Sequence, residues 1–290
     1  IASTGSHNNV TNNNINTKGN GNSVGLTNLD SKGYISAGVY IVGNSTNNRI
    51  NDNKITSKKG YAVELNSAGN IVEDNYLKSE KGNYDKGVNN NKGNVVKDNY
   101  IYVATQTTSL KTIEVPYLQT GSVTLTFVSD GGSVNGKLVD LYLDNVKIAS
   151  GKIANGKVTI DFKLPNDYEV SKSAIYPQAI FNGSGFKASM TTIPIKVVQD
   201  TPKITVKSIS VKPGLKAPYT ATVTDSSGNP VSGLNVSFGR GVGSAITNAN
   251  GVAIVNKVLD KSYSAVQSDD IKVTFSGSTN YKAATGTGKL

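Results

Sequence analysis

Ile50-Asn51-Asp52-Asn53-Lys54-Ile55 sets an aliphatic residue, two others, an asparagine, one more residue and a second aliphatic in a row. The pattern occurs earlier as Val10-Thr11-Asn12-Asn13-Asn14-Ile15, and again as Val72-Glu73-Asp74-Asn75-Tyr76-Leu77 and Val96-Lys97-Asp98-Asn99-Tyr100-Ile101. Asn53 and Asn75 are 22 positions apart, and Asn75 and Asn99 are 24. A period of this size marks one supersecondary turn that cannot bury its apolar face alone and stacks on its neighbours.

A second strand lies between successive motifs. Tyr61, Val63 and Leu65 alternate within Gly60–Ser67, and Gly38–Ser45 is the counterpart one unit earlier. Alternation of period two is the mark of a half-buried strand. Two strands and several tight turns per unit describe one coil of a parallel β-helix. The two aliphatics of each motif are an odd number of residues apart, so both face inward only if the chain bends between them. Asparagine tolerates the left-handed conformation of such a bend, and its amide reaches its equivalent in the next coil, about 4.8 Å away. Asn13, Asn53, Asn75 and Asn99 are therefore expected to form a structural ladder.

Two departures interrupt the repeat. Asn13 and Asn53 are 40 residues apart, so residues 16–38 hold either a degenerate coil, with Val24 and Leu26 as its strand, or a Gly- and Asn-rich loop. In Asn83–Asn91 only Val88 reads as inward, so the stack is expected to fray there.

Asp52, Asp74 and Asp98 precede the ladder asparagines and form a second column, with Asn12 in line. Stacked carboxylates either splay into solvent at a turn, the favoured reading for a turn residue, or are bridged by Ca²⁺. Tyr76 and Tyr100 stand beside Lys54 as an outward strip, a candidate ligand face for sugar rings that cross-strand packing explains as well.

After Val103 the repeat stops and a polar run, Ala104 to Ser109, intervenes. Strand-like segments follow at Lys111–Val115, Ser122–Ser129, Lys137–Ala149, Lys152–Leu164, Ala174–Phe181 and Phe186–Val198, separated by turn residues, and Asn155-Gly156 is a hairpin signal. The segment from Thr201 repeats this plan. Val134-Asn-Gly136 is answered by Val231-Ser-Gly233, Asn155-Gly156 by Asn250-Gly251, and Phe181–Ala188 by Phe275–Ala283, at offsets of 94 to 97 residues. That offset is about one immunoglobulin-sized sandwich. The expected organisation is a β-helix over 1–103 and two immunoglobulin-like sandwiches over 104–200 and 201–290, joined at Gln199-Asp200-Thr201-Pro202.

Thirty glycines, abundant Asn and no long amphipathic helical run agree with an all-β chain. Cysteine is absent, which removes disulfides and thiolate chemistry. The net charge of +10 divides as +3 before residue 104, +1 to residue 200 and +6 beyond. Lysines spread through alternating patterns, with arginine only at Arg49 and Arg240, read as solvated sheet faces rather than a nucleic-acid footprint. No apolar run is long enough to span a membrane. The chain begins inside the repeat and ends in an unfinished strand-like run at Ala283–Leu290, so it reads as a piece of a longer protein.

The asparagine coils resemble the right-handed parallel β-helix of the NosD-like and pectate-lyase-like repeat proteins. Asp225-Ser-Ser-Gly228-Asn-Pro230-Val231-Ser-Gly233, Asn250-Gly251-Val252-Ala253 and Phe275-x-Gly277-x-x-x-Tyr281-x-Ala283 resemble the immunoglobulin-like repeats of bacterial and archaeal surface adhesins. Together the architecture is similar to the adhesin-like surface proteins of methanogenic archaea. The resemblance implies an extracellular, cell-surface location and a partner that is a glycan or protein of another cell, or a cell-wall polymer. Four sequons, at Asn9, Asn44, Asn182 and Asn235, are compatible with an exterior location.

Enzymatic readings find little purchase. A polysaccharide lyase would draw metal ligands from Asp52, Asp74 and Asp98 and a base from Arg49 or Lys97. The single histidine, His7, gives no triad, and no carboxylate pair stands out as a glycosidase dyad. An internal Lys-to-Asn isopeptide bond would need a buried lysine that the sequence does not single out. The chain reads as a non-enzymatic adhesin fragment, without catalytic residues or a required cofactor, whose β-helix presents a binding face or loops such as Asp30–Gly38 or Glu80–Asn91. The alternatives are a lyase-like enzyme and a structural component of the cell envelope.

Overall fold

The computed structural model describes residues 2–3, 5–17, 38–41, 45–58, 60–90, 93–260 and 270–289. Among them the protein is all-β, with one 3₁₀ turn, η1 (Tyr84–Gly87), as the helical exception. Two compact units divide the chain: Ile1–Ser109 with Val123–Ile160 and Pro177–Thr192, and Leu110–Ser122 with Asp161–Tyr176 and Ile193–Leu290.

In the first unit the chain makes four successive passes of three strands each. They are β1 (Ala2–Ser3), β2 (Asn9–Thr11) and β3 (Asn14–Thr17), then β4 (Val39–Ile41), β5 (Arg49–Asn51) and β6 (Lys54–Ser57). The third pass is β7 (Val63–Leu65), β8 (Ile71–Glu73) and β9 (Tyr76–Ser79), and the fourth is β10 (Val88–Asn90), β11 (Val95–Lys97) and β12 (Tyr100–Gln106). Each strand pairs in parallel with its equivalent in the next pass, giving the orders β1-β4-β7-β10, β2-β5-β8-β11 and β3-β6-β9-β12. Registers such as Ile50↔Val72 and Ile55↔Leu77 align the motif aliphatics, and Val39, Ile41, Ile50, Ile55, Val63, Leu65, Val72 and Leu77 are wholly buried between the sheets.

The long interval resolves at its flanks. β2 pairs directly with β5 and β3 with β6, Ile15 opposite Ile55, so among the described residues no further pass lies between them. Val24 and Leu26 lie outside the described residues. The fraying expected at Asn83–Asn91 is not seen over the described residues Asn83–Asn90. Val88–Asn90 pairs with Val63–Leu65, and η1 lets this pass close with Val88 as its inward aliphatic. The polar run after Val103 is also not a break, because β12 continues through Gln106 and turns antiparallel to the next strand, Ala104 opposite Ser129.

The remaining strands are β13 (Ile113–Pro116), β14 (Thr120–Ser129), β15 (Leu138–Leu143), β16 (Val146–Lys152), β17 (Lys157–Lys163), β18 (Gln178–Phe181), β19 (Gly185–Lys187), β20 (Ser189–Thr192), β21 (Ile195–Val198), β22 (Lys203–Val206), β23 (Lys216–Thr224), β24 (Asn235–Phe238), β25 (Gly243–Ile246), β26 (Val252–Val258), β27 (Asp270–Phe275) and β28 (Ala284–Lys289). In the first unit β14 and β17 extend the β3-β6-β9-β12 sheet, β19 adds in parallel to β12, and β16-β15-β18-β20 forms a separate sheet. The expected single strand Lys137–Ala149 is two, because Asp144 and Asn145 both take positive φ (47° and 65°) and reverse the chain. At Asn155-Gly156 a two-residue turn forms, φ 51° and 72°, closed by the Ala154–Lys157 backbone pair.

In the second unit β13 pairs with β21, and the sheets β22-β23-β26 and β25-β24-β27-β28 enclose a core containing Ala221, Val223, Val236, Phe238, Ala253, Ile271 and Val273. The two sequence copies share fine geometry. Gly136 and Gly233 have φ of 80° and 78° and donate to Ile153 and Thr247 carbonyls, both at 2.8 Å. The Gly156 and Gly251 carbonyls accept from the Phe127 and Val223 amides, again at 2.8 Å.

Candidate functional site

The parallel passes hold their asparagines in register. Asn13 Nδ2 donates to Asn53 Oδ1 at 3.1 Å, Asn53 to Asn75 at 2.9 Å and Asn75 to Asn99 at 2.9 Å. Asn99 donates in turn to Asp85 Oδ1 at 2.7 Å, so a carboxylate from η1 terminates the row. A second row runs through Asn8, Asn48, Asn70 and Asn94, with amide contacts of 3.1, 2.9 and 3.1 Å. Each member sits five residues before a member of the first row, and that fixed spacing was the available signal.

The left-handed residue of each bend is not the ladder asparagine. Asn12, Asp52, Asp74 and Asp98 take it, with φ of 56°, 55°, 56° and 57°. A short side chain that bonds locally tolerates this region, while the asparagine one position later turns inward, where Asn53, Asn75 and Asn99 are buried. The aspartate column is thus accounted for by backbone conformation. Burial raises the Asp74 pKa, and the nearby Asp98, Glu73 and Asp52 charges add to this, against Lys187. Among the described residues no three His, Cys, Asp or Glu side chains gather in a geometry that could hold a metal ion.

Arg49 and Lys97, the candidate bases, both engage Glu73. Arg49 Nη2 pairs with Glu73 Oε1, and Lys97 Nζ lies 3.3 Å from Glu73 Oε2. The buried Glu73 carboxylate thus shares its single negative charge between these two half-exposed cations.

The strip of Lys54, Tyr76 and Tyr100 assembles as one column on the outer face of the β3-β6-β9-β12 sheet. Lys54 Nζ lies 5.4 Å from the Tyr76 ring centre, and Tyr76 meets Tyr100 edge to face at 6.1 Å. Lys187 of β19 lies 5.7 Å from the Tyr100 ring. Lys187 could not be anticipated, since β19 is remote in sequence and reaches the column by adding to β12. Both lysines are exposed, the tyrosines are half-buried, and ring quadrupoles favour cations over their faces. Chemically the column offers aromatic surface with a cation at each end.

On another sheet Tyr40, Glu64 and Asn89 are register neighbours. Asn89 Nδ2 donates to Glu64 Oε1 at 3.3 Å, and burial raises the Glu64 pKa against that bond. Of the loops expected to carry recognition, residues 30–37 lie outside the described set, and within the other Tyr84–Asn90 is taken up by η1 and β10, leaving Glu80–Asn83 as loop. Asn9, Asn182 and Asn235 of the sequons are exposed, and Asn44 lies outside the described residues. No described lysine is buried, so none has the environment an isopeptide bond requires.

No protein-family model matches the chain, and no curated protein matches it. Solved structures similar to it are built of immunoglobulin and fibronectin modules. The titin domains Z1Z2 in complex with telethonin are 16% identical, with 64% of this chain and 94% of that one covered, at a TM-score of 0.30. Sidekick-1 immunoglobulin domains 1–5 are 12% identical, over 64% and 39% of the two chains, at 0.31. The fibronectin(III)-like modules of CbhA from Clostridium thermocellum are 15% identical, over 65% and 94%, at 0.22.

Proposed function

We propose that the protein is a non-enzymatic cell-surface adhesin fragment. In this reading residues 1–103 are the C-terminal part of a right-handed parallel β-helix, and 104–200 and 201–290 are immunoglobulin-like sandwiches that carry it. Three parallel sheets whose strands pair from β4 onward at offsets of 22 to 25 residues support the β-helix reading, and the matched glycine geometry supports the tandem sandwiches.

The observation that carries the function is the Lys54–Tyr76–Tyr100–Lys187 column, a row of half-buried rings flanked by exposed lysines on a hydrogen-bonded scaffold. Rings stack on sugars and lysines donate to their oxygens, which suits a surface glycan or wall polymer of another cell. A glycan array probed with the protein, followed by a depolymerisation assay on each polymer bound, tests this. Binding without cleavage is expected. Cleavage of a bound polysaccharide would instead establish the lyase, and self-assembly without glycan binding would establish an envelope component.

A further inference from the structure

Gln199–Pro202 has the composition of a linker, yet Asp200 is 1% exposed. Its amide donates to the Asn280 carbonyl at 3.0 Å, and its own carbonyl accepts from the Lys282 amide at 2.8 Å, a parallel bridge to Tyr281. Its carboxylate accepts from the Ser226 amide at 3.0 Å.

Beside this bridge lies the tight turn Pro116–Gln119, closed by the Gln119 amide on the Pro116 carbonyl at 2.9 Å, with Leu118 at φ 61°. Positive φ in a branched aliphatic residue is strained and persists only when neighbours over-determine it. The neighbours are evident. Tyr117 packs edge to face on Tyr281 at 5.6 Å, and Gln119 Nε2 donates to Asp225 Oδ2 at 3.1 Å, while Ser227 Oγ donates to Gln119 Oε1. Asp225 is presented by its own loop, whose Ser227 and Asn229 amides donate to Oδ1 at 2.9 and 2.8 Å.

The first unit holds a related arrangement, its loop residues Asp130 and Phe186 each 95 positions before Asp225 and Tyr281. Here Tyr102 lies in parallel register with Phe186, as Asp200 does with Tyr281, and Val103 follows opposite Lys187. Tyr102 packs on Phe186, the counterpart of Tyr281, at 5.4 Å. Asp130 donates its amide to the Val103 carbonyl at 3.2 Å and accepts the Val103 amide on Oδ1 at 2.8 Å. Gly131 and Gly132 lie flat against the Tyr102 ring, which a Cβ at Gly132 would approach to 2.4 Å.

We infer that the paired loops of each copy, Asp130–Gly132 with Asn182–Lys187 and Asp225–Asn229 with Gly277–Lys282, are a module-coupling site. Each grips the incoming chain by a parallel bridge and receives an aromatic side chain, Tyr102 from the gripped strand itself in the first copy and Tyr117 from the turn Pro116–Gln119 in the second. In the second copy the site also takes the carboxamide two residues beyond that aromatic. The coupling needs no metal, since carboxylate, amide and ring are satisfied by one another.

Hydrogen exchange on the full-length chain tests this. In the wild type the Asp200 and Lys282 amides exchange slowly. In Gln119→Ala, and independently in Asp225→Asn, they exchange at least tenfold faster, while the Leu141 and Val236 amides keep their wild-type rates. Unprotected Asp200 and Lys282 amides in the wild type would overturn the inference, as would unchanged rates in both variants. Equal acceleration at Leu141 and Val236 would also overturn it, because Gln119 and Asp225 would then support the fold as a whole.

Discussion

Asn75 uses its whole side-chain capacity inside the stack. Oδ1 accepts from the Asn53 amide and Nδ2 at 3.0 and 2.9 Å, and Nδ2 donates to Ile50, Glu73 and Asn99. Asn75→Ala leaves several buried groups unpaired and is expected to lower unfolding free energy by about 3 kcal/mol in chemical denaturation. One residue earlier the expectation reverses. Asp74→Gly puts the residue that favours positive φ at φ 56° and removes a carboxylate crowded by Asp52, Glu73 and Asp98, so stability should stay within about 1 kcal/mol or rise. Calorimetric titration with Ca²⁺ should give no saturable heat, and a saturable heat lost in Asp74→Gly would restore the bridged-cation reading. The ladder was legible because burying both motif aliphatics demands a bend. The position of the left-handed residue was not, since Asn and Asp both tolerate it and only backbone geometry distinguishes them.

At the scale of elements, glycine has two separate roles. In β28 a Cβ at Gly286 would sit 2.4 Å from the Ile204 carbonyl oxygen, so Gly286→Ala should cost more than about 2 kcal/mol by thermal or chemical melting. At Gly136 a Cβ meets nothing within 4 Å, and only φ 80° resists it, so Gly136→Ala should cost about 1–2 kcal/mol. Tyr281 supplies a pH test of the coupling loops. Burial first, then Tyr117, Asp200 and Asp225, push its phenol up to about 12. The folded state therefore favours the neutral phenol, and its contribution is complete below the unfolded pKa near 10. That stability is lost as pH rises from about 10 to about 12, and Tyr281→Phe should remove this alkaline loss in melting curves. Short elements explain what the sequence left hidden here. Asp144-Asn145 lacks the glycine that marked Asn155-Gly156, and β19 is a three-residue strand whose partner β12 is remote in sequence.

On the scale of the molecule, each compact unit has a core of its own, and the charge of +10 falls mostly after residue 200, away in sequence from the aromatic column. Repeat period and tandem offsets were readable because stacking and sandwich packing impose them along the whole chain. A binding face is a local matter of which exposed residues end up adjacent, so Lys54, Tyr76 and Tyr100 were nameable and Lys187 was not. The most direct test of the adhesive reading compares wild type with Tyr76→Ala/Tyr100→Ala on the surface glycans that the wild type binds, after melting curves show both folded. The account predicts at least tenfold weaker binding for the double variant, about 1.4 kcal/mol or more. Equal binding by the two proteins would contradict it.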